Sequence, residues 1–357
     1  MSEILTIEDC LQEKNEVKTE DYYSIGKEIY DKFDEYSKKK GHGYSIKEYP
    51  IFNEKLEGME EGLYVFAGES NSGKTAIVTN LIWNIATDSN NKLFGIYYSL
   101  DDSTEEVIPR LIAMNQEIPI SVGSKPKRYE DFLSSTKNTE DTEELSIREQ
   151  YVDFLEKRSK GLEQLRSENK HFLILDKQRI PNLEMLLDHA KKVQLYVKSF
   201  DPENNIIIAI DSIADLVVDS KKFNTDRERI DYISQTIKKA ANIDLKVPIL
   251  GTYHLRKLNH NGRPTLDDVK ESGRLVYEAS MLFLVFNDVS KNKESASVFY
   301  TEDRNEFKNP VVELDWAKNK KSSYKGRTYY YFRPNFSKCI ECSASVAQRY
   351  DAFIYSK

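Results

Sequence analysis

Cysteine is scarce: 357 residues contain only Cys10, Cys339 and Cys342. That excludes a disulfide-stapled secreted scaffold and points to a reducing compartment, the cytoplasm. Two of the three form a lone Cys339-Ile-Glu-Cys342. A tetrahedral zinc site would need two more ligands, so they read as ordinary reduced thiols. Long apolar runs are absent too. Nothing approaches the ~20 residues of a transmembrane helix. The opening Met1-Ser-Glu-Ile-Leu-Thr-Ile-Glu-Asp9 is acidic, unlike a signal peptide. No membrane partner is expected. Positive charge is in deficit, with a net charge of −7. A basic nucleic-acid coat is therefore excluded, and any DNA contact must come from a local patch or from the inside of an assembly.

What is present is Gly68-Glu69-Ser70-Asn71-Ser72-Gly73-Lys74-Thr75, a Gly-x-x-x-x-Gly-Lys-Thr phosphate-binding loop. The apolar run Leu63 to Ala67 leads in as a buried strand. Behind it, Ile77, Val78, Leu81, Ile82 and Ile85 recur at helical spacing. Strand, loop and helix together supply the mechanism. Glycines let the backbone wrap phosphates, and the helix N-terminus aims free N–H groups at them. The expected ligand is a nucleoside triphosphate with Mg²⁺. Lys74 reaches the β- and γ-phosphates, and the Thr75 hydroxyl holds the metal.

The rest of the chain alternates. Strands are expected at Leu93 to Leu100, Phe172 to Leu175, Ile206 to Asp211, Pro248 to His254 and Leu282 to Phe286. Helices are expected from Ser103 to Met114, from Asn182 to Val193 and from Arg227 to Ile243. Ser103 with Glu106 three residues on is a capping box. This alternation predicts an α/β fold: a mainly parallel sheet with helices on both faces. Residues 121–169 read as a solvated helical segment. Before the sheet, Tyr22, Ile25, Ile29, Phe33 and Tyr36 predict a helix from Thr19 to Lys40.

Functional groups in such sheets gather at the carboxyl ends of the strands. Asp211 closes an aliphatic strand and is placed to hold Mg²⁺ with Thr75. Asp101 closes the strand after the P-loop helix and is placed to activate water. His254 closes another and can sense the γ-phosphate. The basic run around Lys318 is expected at such an end as well. Arg256 to Pro264 is basic, polar and punctuated by Gly and Pro, and can grip single-stranded nucleic acid.

The order P-loop, Tyr98-Ser-Leu-Asp101, Ile210-Asp211, Thr252-Tyr-His-Leu-Arg256, Arg263-Pro264, Lys270-Glu-Ser-Gly273 and Ala317-Lys-Asn-Lys320 resembles the RecA-like ATPase domain of DnaB-type replicative helicases. The likeness covers residues 44–336. It leaves 1–43 as a tail and linker helix and 337–357 as a C-terminal tail. The compact form is similar to phage- or virus-encoded members that lack a folded N-terminal domain, which implies a host cytoplasm. The resemblance implies a ring-forming helicase, a homo-hexamer on single-stranded DNA, with a primase or loader as partner. Lys74, Asp101, Asp211, His254, Lys318 and Lys320 would be catalytic, the last two acting on the neighbouring subunit's nucleotide. Gly68 through Thr75 would bind the nucleotide, which the resemblance makes ATP. Lys221, Lys222, Arg256, Lys257, Arg263, Lys270, Glu271 and Gly273 would contact DNA. Asp101 stands where the family usually has Glu, His254 where Gln is usual, and Lys320 where an arginine finger is usual. Arg327 is a further candidate for the finger. Two other readings share the core. One is a RecA/KaiC-like recombination ATPase. The other is a non-motor ATP-binding helicase partner or loader.

Overall fold

The computed structural model describes residues 27–35, 43–258, 262–269, 273–302 and 307–355. The chain divides into a unit of residues 1–43 and a unit of residues 44–357. In the first, residues 27–35 are helical, with Ile29, Tyr30 and Phe33 exposed. The rest of the helix expected from Thr19 to Lys40 lies outside the described residues.

The second unit is built on a 10-stranded sheet in the order β10-β9-β8-β6-β1-β5-β4-β2-β3, with β7 paired to β8. The strands are β1 (Gly62–Gly68), β2 (Leu93–Ser99), β3 (Phe172–Asp176), β4 (Asn205–Asp211), β5 (Pro248–His254) and β6 (Met281–Asn287). They are followed by β7 (Phe299–Tyr300), β8 (Asn309–Asn319), β9 (Arg327–Arg333) and β10 (Lys338–Glu341). β1 to β6 run parallel. The helices are α1 (Pro50–Leu56), α2 (Lys74–Thr87), α3 (Thr104–Gln116), α4 (Ile120–Ser124), α5 (Pro126–Ser135) and α6 (Thr142–Ser167). After them come α7 (Leu183–Phe200), α8 (Asp226–Lys239), α9 (Leu266–Val269), α10 (Gly273–Glu278), α11 (Asp288–Asn292) and α12 (Ala344–Tyr355).

The sequence dictates this layering. All seven residues of β1 are buried, because the strand is flanked on both edges and covered on both faces. Its side chains alternate: Tyr64 and Phe66 join the core under α2 and α3, and Leu63, Val65 and Ala67 join the core under α7 and α8. Ser103 and Glu106 form the expected capping box on α3. Asn182 caps α7, accepting from Met185 N at 2.8 Å. Between α3 and β3, α4 to α6 are helical as expected, and Val122 and Tyr129 join Ile118, just before α4, in a satellite core against Ile112.

The parallel reading stops at β6. β8, β9 and β10 extend the sheet antiparallel. This corrects the expected tail at 337–357. β10 pairs with β9, Cys339 opposite Phe332. The Glu341 carboxylate accepts from Ile51 N at 2.7 Å and Phe52 N at 2.8 Å, capping α1. α12 then packs Tyr350 with Val298, Val311 and Tyr329. The two described cysteines are buried in different clusters. Burial pushes the Cys342 thiol up to about 12. Among the described residues no group of His, Cys, Asp and Glu is arranged as a metal cluster, and no helix is long and apolar enough to cross a membrane.

Candidate nucleotide site at the carboxyl edge of the sheet

Gly68 ends β1, and Gly73 opens α2 with φ 99°. That left-handed conformation favours glycine, and a Cβ there would lie 2.7 Å from Val312 Cγ2. The loop between them is therefore drawn tight under the helix N-terminus. Lys74 is 4% exposed, and its Nζ donates to Glu69 O at 2.7 Å. Burial lowers its pKa to about 8, although Asp211, Asp101 and Glu69 pull it back up. Ser72 Oγ is buried without a hydrogen-bond partner among the described residues.

β4 delivers Asp211 to the same edge. Ser99 pairs with Asp211 across β2 and β4, and the Asp101 amide donates to Asp211 O at 3.2 Å. The Asp211 carboxylate is buried and accepts from Tyr97 Oη at 2.7 Å and from Thr252 Oγ1. Both donors are neutral hydroxyls, and the carboxylate oxygens have further lone pairs to offer a cation. Thr79, one turn beyond Thr75 on α2, donates to Thr75 O at 2.7 Å and stands 3.4 Å from Tyr97 Oη. A hydroxyl chain thus links the P-loop helix to Asp211.

This arrangement suits ATP and Mg²⁺. A Cβ at Gly68 would lie 2.6 Å from Ser72 Oγ within the loop, Ser72 Oγ is an unmatched buried polar atom among the described residues, and Thr75 with Asp211 supplies the hard oxygen donors that Mg²⁺ takes. Tyr97→Phe removes one donor to Asp211. It is expected to weaken apparent Mg²⁺ affinity by roughly 10- to 100-fold, as loss of a group supporting a metal ligand does. A Mg²⁺ titration of nucleotide hydrolysis checks this, and an unchanged midpoint would contradict it.

Asp101 and His254 meet where β2 and β5 end, with Nε2 to Oδ2 3.8 Å. Partial burial, together with Asp215 and Asp102, raises the Asp101 pKa from the usual carboxylate range, and His254 opposes the rise. A carboxylate with a raised pKa is a better proton acceptor, as activation of water requires.

The candidate DNA-contacting residues divide. Arg256 and Lys257 are exposed just past His254, and Lys257 lines a cleft of about 340 Å³ beside Glu69 and Lys291. Lys221 and Lys222 are exposed, with Lys221 Nζ 5.1 Å from the Tyr232 ring centroid. Gly273 opens α10. Lys270 and Glu271 lie outside the described residues. Arg263 is a correction: its guanidinium donates to both Glu313 oxygens, at 2.6 and 2.7 Å, and stacks over Phe286 at 5.0 Å. A fork committed in this way anchors the segment within the fold, which leaves less of it to face a DNA strand.

Lys318 and Lys320 are a second correction. β8 is antiparallel, so its end lies at the amino edge of the parallel strands. Lys318 pairs with Leu282 and Asn319 with Met281, the first two residues of the parallel strand β6. Lys318 Nζ donates to Val276 O and to Tyr277 O at 2.8 Å, and Lys320 Nζ to Tyr277 O at 3.3 Å. Both lysines thus sit on the C-terminal carbonyls of α10, where the helix dipole favours cations. Burial, with Lys320 nearby, lowers the Lys318 pKa to about 8. Arg327, the other candidate finger, is 12% exposed. It pairs with Asp315 at 3.3 Å and lies under the Tyr355 ring of α12.

The family model for the DnaB-like helicase C-terminal domain matches residues 47–339. The chain belongs to that family. Curated relatives include the replicative DNA helicase DnaB of Mycoplasma pneumoniae, 22% identical over 69% of this chain and 48% of that protein. A probable replicative DNA helicase of Trieres chinensis is 23% identical over 78% of this chain and 53% of that protein. The chain thus spans about half the length of these relatives. Among solved structures, one described as an ATPase domain matches with TM-score 0.67 at 20% identity, over 89% of this chain and 99% of that one. A DnaB-like replicative helicase, described with its interactions with primase, matches with TM-score 0.64 at 19% identity, over 88% of this chain and 66% of that one. These structures share the RecA-like fold, and DnaB-like membership implies an ATP-hydrolysing enzyme.

Within this DnaB-like domain, several site residues escaped the sequence reading. Tyr97 and Thr252 are invisible as partners of Asp211 until the strands are in register. Lys291, on the short α11, donates to Glu69 Oε2 at 2.5 Å. Arg110 closes onto Asp102 beside Asp101. Thr252 lies in the Thr252-Tyr-His-Leu-Arg256 segment without a role attached to it, and no motif marks Tyr97, Lys291 or Arg110.

Proposed function

We propose that the chain is an ATP-dependent replicative DNA helicase motor that assembles head to tail into a ring, a homo-hexamer, on single-stranded DNA. One observation carries the reading. The P-loop, Asp211, Asp101 and His254 share one edge of the sheet, and Lys318 and Lys320 lie at the other. A site needing both halves is completed only by a neighbour, and head-to-tail contacts of this kind close into rings or run on as filaments.

Lys74 binds the β- and γ-phosphates and stabilises charge developing between them. Thr75 and Asp211 would hold Mg²⁺, which when bound neutralises the phosphate oxygens. Asp101 takes the proton of the attacking water, and His254 reads the γ-phosphate. Lys320 of one protomer supplies positive charge to the next. Lysine lacks the planar fork of arginine, so Lys320→Arg is expected to raise turnover by about tenfold. Arg256, Lys257, Lys221 and Lys222 offer the exposed positive charge for the strand. Primase or a loader is the proposed partner.

The test is separation of a forked duplex by the purified chain. Mg²⁺ and ATP are expected to be required, and Lys74→Ala to be inert. Strand exchange without separation would favour a recombination ATPase. Nucleotide binding without DNA-stimulated hydrolysis would favour a loader.

A further inference from the structure

We propose that Glu69 is a positioning residue through which nucleotide occupancy of the P-loop sets the placement of the basic segment beyond β5. Among its contacts, Glu69 makes three that bear on the site. Its main-chain oxygen accepts from Lys74 Nζ at 2.7 Å. Its Oε1 accepts from the Leu258 amide at 2.8 Å, and its Oε2 from Lys291 Nζ at 2.5 Å. One residue therefore holds the phosphate-binding lysine with its backbone and the Arg256-Lys257 stretch with its side chain. The adjoining Gly68 O accepts from the Leu255 amide at 3.0 Å. Two successive P-loop residues thus tie the segment that starts at His254.

Charge explains why the tie responds to nucleotide. A carboxylate beside a polyphosphate is unfavourable unless it is matched elsewhere. Lys291 matches it: both side chains are 17% exposed, so the pair is poorly screened by solvent. An arriving polyphosphate is a charge-assisted acceptor and competes with Glu69 O for the Lys74 ammonium. Releasing that oxygen frees the peptide on which the Glu69 side chain stands. The same side chain carries Leu258. Nucleotide binding and movement of the basic segment therefore pass through one residue. The DNA arm of the test rests on the helicase reading; the exchange arm does not.

Hydrogen exchange of the full chain, with and without MgATP, tests the tie directly. In the wild type, nucleotide is expected to change exchange at Leu258. In Glu69→Ala, that amide is expected to exchange about tenfold faster and to be indifferent to nucleotide, because its acceptor is gone. Glu69→Gln keeps an acceptor oxygen and is expected to restore the response. The second arm divides each variant's ATP turnover with single-stranded DNA by its own turnover without it. The ratio is expected to fall towards one in Glu69→Ala and to recover in Glu69→Gln. Should Glu69→Ala fail to fold, Leu258→Pro removes the donor, keeps Glu69 and is expected to lower the same ratio. An equal nucleotide response in Glu69→Ala and wild type overturns the inference. A wild type without DNA stimulation sinks the helicase reading instead, and the exchange arm still decides the role of Glu69.

Discussion

Lys74→Ala is expected to lower ATP turnover by roughly 10²- to 10³-fold, the usual cost of removing one preorganised donor from a transition state. The protein should remain folded. Lys74 is 4% exposed and burial holds its pKa near 8, so its ammonium is costly in the nucleotide-free state. The folded pKa is depressed from 10.5 to about 8. Between these values the unfolded chain binds more protons, so stability rises with pH through that window and the cost is fully present below it. Deleting the charge at pH 7 should therefore leave the thermal midpoint no lower than that of the wild type. The same shift predicts a pH-dependent KM. Above about pH 8 the free protein has lost the Lys74 proton, and binding must take one up. KM for ATP should then rise by up to about tenfold per pH unit. A KM flat from pH 7 to 9 would contradict this.

Arg263→Ala is expected to have the largest effect on stability, about 3–5 kcal/mol, because it strands a buried carboxylate. The Glu313 side chain is 1% exposed, and Asp288 stands 3.9 Å from the same guanidinium. Burial pushes Glu313 up to about 7 against the pull of Arg263. A carboxyl whose folded pKa exceeds its usual 4.5 binds more protons when folded, so stability falls as pH rises from 4.5 towards 7. Without Arg263 the shift grows, and the loss should be larger at pH 8 than at pH 5.5. Replacing both partners by apolar residues, Arg263→Met with Glu313→Leu, should recover most of it. Urea midpoints at the two pH values decide the matter. Weakened DNA binding in Arg263→Ala with an unmoved midpoint would return Arg263 to the DNA-contacting set.

That residue illustrates where sequence reasoning stopped. Arg263 sits in a basic, Gly/Pro-punctuated stretch, and nothing local reveals Glu313 fifty positions on. Local signals are legible in the chain. Strand, glycine and helix periodicity identified β1, the P-loop and α2 together, and Ser103 with Glu106 located α3. Aliphatic runs marked β4 and β6 because strands buried on both faces carry few polar residues. The antiparallel edge was missed because β8 to β10 mix polar and aromatic residues. Their pairing is set by contacts distant in the chain, and missing it inverted the expected position of Lys318. Glu69 and Lys291 fared likewise. A carboxylate at a variable position of the loop carries no message until its partners on two other segments are seen.

The central claim is that each nucleotide site is shared between two copies of the chain. It is tested most directly by mixing Lys74→Ala with Lys320→Ala and measuring ATP hydrolysis on single-stranded DNA. Each variant alone is expected to be nearly inactive. Mixed protomers bring an intact P-loop against an intact Lys320 at some interfaces, so turnover should reappear on mixing. Hydrolysis that stays at the level of the separate variants, or a Lys320→Ala variant that is fully active alone, would contradict the shared site.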